Sequence, residues 1–188
     1  MRWLVFVIAA FIAVALDSGF SSIFTLRGAW FLTPSFAACL LAFVALLGPP
    51  VVVVWAAWLL GMLADLSPGL GESGGGLHVI GPHALGYPLG AWLVLNFRTW
   101  MFRRRVTTVA MLTFVCVLAA GVVQIAIGIL RFWLPWAGGE LVPFGLGEIL
   151  HECGNAAYSA ILAIPVGWLL LQTLPMWRFD YGTSRRSS

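Results

Sequence analysis

The chain has 188 residues, of which 61% are hydrophobic and 9% charged, with a formal net charge of +3. Soluble domains carry roughly a quarter charged residues, and so few charges would leave large apolar patches in water. The composition therefore argues against a soluble globular domain and makes lipid the solvent for most of the surface.

All ten basic residues are arginines at the ends of apolar runs. That placement is a membrane-orientation pattern and argues against a nucleic-acid face. At about 20 residues per span, the length predicts six membrane helices in a single integral membrane domain. Cys39, Cys116 and Cys153 lie far apart inside apolar runs, without the spacing of a metal site or disulfide framework.

Trp3–Leu16 is an apolar run behind Arg2. It has the form of a signal peptide, with Ala13-Val14-Ala15 as a cleavage-like site. The polytopic remainder favours a retained first span, residues 3–24, containing Asp17 and flanked by Arg27. A second span is expected over 29–47, with Pro34 in its first turns, where a missing N–H costs least. Gly48-Pro49-Pro50 ends it in a tight turn, which makes spans two and three antiparallel neighbours. The third span, 51–65, places Ala57, Gly61 and Asp65 on one face. Ser67-Pro68-Gly69 stops it, and residues 66–83 form a glycine-rich outer loop.

Gly81-Pro82 marks the turn into a fourth span, 84–97. There Gly86 and Gly90 form a small-xxx-small face for close helix approach, with Pro88 between them. Arg98, Arg103, Arg104 and Arg105 are the densest charge cluster and read as a membrane-surface anchor, a role compatible with binding anionic lipid. The fifth span, 106–130, carries Ala120, Gln124 and Gly128 at helical spacing, with Gln124 expected to bond a neighbouring helix. Trp133 and Trp136 in the next loop suit an interfacial aromatic belt. The sixth span, 149–174, has Ala156 and Ala160 on a packing face and Pro165 within it. Residues 176–188 form a polar tail. Counting arginines gives eight on the side of both termini and two opposite, so the termini are expected in the cytoplasm.

Asp65 is the first candidate for chemistry, because an ionisable group near a span is costly to bury. It reads either as a helix cap or as a packing and partner contact, with proton chemistry as a further alternative. As a contact residue, its change to Asn is expected to impair assembly more than folding. Glu148, His151 and Glu152 lie near one face of a helix start, where zinc binding or a proton relay competes with simple dipole capping. The HExxH pattern is absent, and capping is the stronger reading. His78 and His83 flank Gly81-Pro82 and could join Glu72 in a metal site, but isolated loop histidines are the stronger reading. Ser73 in Gly71–Gly75 looks superficially like a nucleophile motif but lies in a loop, not at a strand-to-helix elbow. No cofactor or metal site is predicted, and no phosphate-binding fingerprint is present.

Leu60–Ser67 (LGMLADLS), Gly81–Leu89 (GPHALGYPL) and the arginine-rich turn after them together resemble the rod shape-determining MreD family. Residues 71–80 form an insertion relative to that family's pattern. The resemblance implies a non-enzymatic component of the bacterial inner membrane in the cell-elongation machinery. It also implies partners: an MreC-type single-span coiled-coil protein, and through it cell-wall synthases and the actin-like MreB filament. The implied fold is similar to the substrate-binding subunits of energy-coupling-factor vitamin transporters. That similarity supplies one rival, a vitamin-type binding subunit anchored by Asp17, Glu72, Gln124 and Asn155; a third reading is a small membrane enzyme using Glu148, His151 and Glu152.

Overall fold

The computed structural model of the chain describes residues 2–19, 26–27, 31–66, 81–98, 105–133 and 146–177. They form α1 (Trp3–Gly19), β1 (Leu26–Arg27), β2 (Phe31–Leu32), α2 (Phe36–Leu47), α3 (Pro50–Leu66), α4 (Pro82–Phe97), α5 (Val106–Trp133), α6 (Leu146–Gln172) and a short α7 (Leu174–Trp177). The molecule is therefore all-helical, apart from one short antiparallel pairing in which Leu26 opposes Leu32. Two helical stretches, Val106–Leu130 and Ile149–Gln172, are long and apolar enough to cross a membrane.

α2 is the centre. It is apolar on every side, and all of its residues are buried. A helix hydrophobic all round needs neighbours all round, and α1, α3, α4, α5 and α6 supply them. Each neighbour turns a narrow face inward. On α1 the face is Phe6, Ala10 and Ala13. On α6 it is Ala156, Ser159, Ala163 and Gly167. The outer faces are apolar too: Leu4, Phe11, Val51, Trp55, Leu85, Trp92, Ile161 and Trp168 are all exposed.

α2 is shorter than the span expected over 29–47. Its helix starts at Phe36, with Ser35 as N-cap and Pro34 ahead of the helix. The Ser35 hydroxyl accepts the Ala38 N–H at 3.2 Å, and this capping competes with any extension backward through Pro34. The Gly48-Pro49-Pro50 turn forms as expected, with Pro50 opening α3. α4 begins at Pro82, two positions before the expected start, and α6 begins at Leu146. Both α4 and α6 continue through their prolines, Pro88 and Pro165.

The start of the expected polar tail folds inward. Trp177 is buried, meets Phe43 edge-on at 5.2 Å, and accepts the Arg2 N–H on its carbonyl at 3.1 Å. Its indole N–H donates to Thr173 Oγ1 at 3.0 Å, so the ring enters the core with its polar atom satisfied. Trp177 thus closes one end of the bundle and ties down the start of α1.

Candidate functional site

Asp17, Asp65 and Arg98, charged residues drawn into this apolar bundle, lie at helix ends. A helix leaves its first N–H groups and last C=O groups without partners, and lipid or core offers none. Side chains from neighbouring helices fill that need here.

Asp65 is the fullest case. It lies in the last turn of α3 and is 3% exposed. Its Oδ2 accepts the N–H groups of Gly81 and Ala84, each at 2.9 Å, and its Oδ1 accepts that of His83 at 3.1 Å. Pro82, between them, has no N–H, so one carboxylate serves every free donor of the first turn of α4. Gly81 has φ of 140°, a conformation only glycine adopts without strain, and this turns its N–H toward the carboxylate. His83 Nδ1 lies 2.9 Å from Asp65 Oδ1 and carries the proton there, since a carboxylate only accepts. The His83 ring packs edge-on against Tyr87 at 5.6 Å.

Asp17 repeats the device. From the last turn of α1 it accepts the Phe36 N–H at 2.7 Å and the Ala37 N–H at 2.9 Å. With Ser35 on Ala38, the first three donors of α2 are all engaged. The Ser35 hydroxyl also meets the Tyr87 hydroxyl at 3.1 Å, and the Ser35 N–H donates to Ser159 Oγ at 3.1 Å. Next to it the Thr33 N–H donates to Asn155 Oδ1 at 3.1 Å.

The opposite end of α2 takes a cation. Arg98 Nη1 donates to the Gly48 carbonyl at 2.6 Å and reaches the Ala45 carbonyl at 3.4 Å. α2 therefore has a carboxylate on its N-terminus and a guanidinium at its C-terminus, the arrangement its dipole favours. Arg98 was expected at the membrane surface as an anchor with its neighbours. It is half-buried and holds α2, because the end of α4 lies beside the Gly48 turn. Arg105 is exposed before α5, while Arg103 and Arg104 lie outside the described residues.

The three singled-out glycines all sit where backbones touch. A Cβ at Gly61 would meet the His83 carbonyl and lie 2.7 Å from Ala84 Cα; at Gly86 it would lie 2.7 Å from Ala120 Cα, and at Gly90 3.1 Å from Cys116 Cα. Gly61 thus seats α3 on the start of α4, just inside the Asp65 cap. Gly86 and Gly90 seat α4 on α5. Gln124 does not join them. It is exposed on α5, one turn beyond Ala120 and so level with the start of α4.

The remaining candidates do not converge on a reaction. His151 Nδ1 is 4.0 Å from Glu152 Oε1 and 3.4 Å from Asn155 Nδ2. Glu152 lies against Gly121 of α5, where a Cβ would come 2.9 Å from its Oε2. The side chain of Glu148, together with Glu72, Ser73 and His78, lies outside the described residues. Among the described residues, no group of three or more His, Cys, Asp or Glu is arranged to hold a metal. Of the anchors suggested for a vitamin-type ligand, Asp17 and Asn155 are engaged on backbone N–H groups and Gln124 faces outward. The capping role of Asp17 and Arg98 was missed from sequence. An Asp closing an apolar run before Gly was the available signal, but the donor it accepts from, the Phe36 N–H 19 residues on, was not.

A family model described as rod shape-determining protein MreD matches residues 1–135 of the 188. No curated protein matches the chain. No solved structure matches it either.

Proposed function

The chain belongs to the MreD family of rod shape-determining proteins, and on that premise we propose that it is a non-enzymatic scaffold of the cell-elongation machinery. Membership makes it a shape-determining membrane protein. The finer reading is that α1 to α6 cross the bacterial inner membrane with both termini in the cytoplasm. The fold proposed is like that of vitamin-transporter binding subunits, used here without a ligand. The partners proposed are an MreC-type single-span coiled-coil protein and, through it, cell-wall synthases and the MreB filament.

One observation carries the scaffold reading. Asp17, Asp65 and Arg98, charged side chains drawn into the described bundle, each hold a helix end. The Asp65–His83 contact has the form of a catalytic pair. Yet no nucleophile stands within hydrogen-bond distance of His83 among the described residues, and the carboxylate is taken up by three backbone donors. Such groups set helix positions and leave little free for chemistry. We further propose that Gly61, Asp65, Gly86 and Gly90 act on partners indirectly, by fixing the α3–α4 unit.

Purification in mild detergent with a single-span, periplasmic coiled-coil partner tests this. Retention of the partner through size exclusion is the expected result. Loss of the partner, together with tight binding of a vitamin, would overturn it.

A further inference from the structure

The helices differ in length. α3 has 17 residues and α4 has 16, which at about 1.5 Å per residue gives about 25 and 24 Å. The apolar stretches of α5 and α6, Val106–Leu130 and Ile149–Gln172, have 25 and 24 residues, or about 37 and 36 Å. An ordinary hydrocarbon core is about 30 Å thick. The long pair crosses that with tilt. The short pair falls about 5 Å short, and any tilt shortens it further.

The ends of the short pair are fixed. Gly48-Pro49-Pro50 bounds α3 at one end, and Asp65, capping α4, bounds it at the other. α4 opens at Gly81, whose positive φ breaks the helix, and closes at Arg98. Arg98 is fixed at that end of α4, its guanidinium held on the Gly48 carbonyl at 2.6 Å. Between these limits the outward faces are apolar: Val51, Trp55 and Trp58 on α3, and Leu85, Leu89 and Trp92 on α4, are exposed.

Building on the reading above that these helices cross the bilayer, we propose that the α3–α4 face is a lipid-binding surface matched to a thin bilayer. The protein draws short-chain or locally thinned lipid to that side and ordinary lipid to the α5–α6 side. One face thus imposes a step in membrane thickness where the molecule sits.

The native tryptophans report on each side separately. Trp58 and Trp92 lie on the short face, and Trp168 is exposed on α6. Variants keeping one of these, with the other tryptophans changed to Phe, are reconstituted with brominated phosphatidylcholines of dimyristoleoyl, dioleoyl and dierucoyl chain length. Quenching at Trp58 and Trp92 is expected to favour the shortest chains, with relative affinity for dierucoyl lipid lower by about threefold or more. Trp168 is expected to show no such preference. Equal affinity for all chain lengths at Trp58 and Trp92, or preference for the longest, overturns the proposal. Absence of quenching there by any brominated lipid instead overturns the reading that α3 and α4 face lipid. The unaltered protein gives a second measurement: its thermal unfolding midpoint should be higher in dimyristoleoyl than in dierucoyl bilayers, and the reverse order would sink the idea.

Discussion

A carboxylate at the end of an apolar helix invites a functional interpretation, but Asp65 is held inside a ring of backbone donors. Hydrogen bonds to a charged group contribute about 1.5–3 kcal/mol each, and leaving buried donors unmet costs a similar amount. Asp65→Ala is therefore expected to destabilise the protein by about 3 kcal/mol or more, read as unfolding in detergent. Asp65→Asn keeps an acceptor oxygen but puts an NH2 among donors, so it should weaken folding and partner retention together. This reverses the expectation, drawn from sequence, that assembly suffers more than folding. Arg98→Ala leaves the Gly48 carbonyl without its donor and is expected to lower the unfolding midpoint. Lysine at 98 should recover part of the loss, since one ammonium can reach one carbonyl without the planar fork of arginine. A midpoint unchanged in Asp65→Ala would refute the capping account.

At the scale of helices, the contacts are set by missing side chains. Overpacking typically costs about 1–3 kcal/mol, and more where the obstacle is backbone. Gly61→Ala pushes a methyl into the His83 carbonyl and Gly86→Ala into Ala120 Cα, so both should destabilise by at least that much. Gly147→Ala is the control. Nothing lies within 4 Å of a Cβ there, and alanine favours the helix, so its midpoint should hold or rise. Equal losses at Gly61, Gly86 and Gly147 would mean that close approach does not decide the packing. α2 shows the same logic without glycine: a short, wholly apolar helix survives because five neighbours cover it and charged side chains close both of its ends.

For the whole molecule, the bundle has one end marked by Asp65, Asp17 and His83 and another marked by Arg98 and Trp177. On the orientation proposed above, the arginine asymmetry assigns the second end to the cytoplasm. In a Cys153→Ser background, a cysteine at Gly147 is expected to react with an impermeant maleimide from outside the cell. A cysteine at the exposed Pro49 turn is expected to react only after the membrane is opened. The opposite pattern would invert the orientation.

The sequence by itself determined the class, and it marked several local features of the helices. Those follow from local facts: runs of apolar residues, paired prolines at Pro49 and Pro50, and glycines at helical spacing on α4. Close packing at Gly61, Gly86 and Gly90 was also legible, because a small residue on an apolar helix has few other reasons to recur. The start of α2 was not, since the Ser35 cap competes with an apolar run that continues behind it. Nor were the partners of Asp17, Asp65 and Arg98 legible. Each of these charges acts on a helix end distant in sequence, and Gln124 is exposed level with the start of α4. Which unpaired backbone groups fall within reach of which charge is a property of helix packing, and only the tertiary structure decided it.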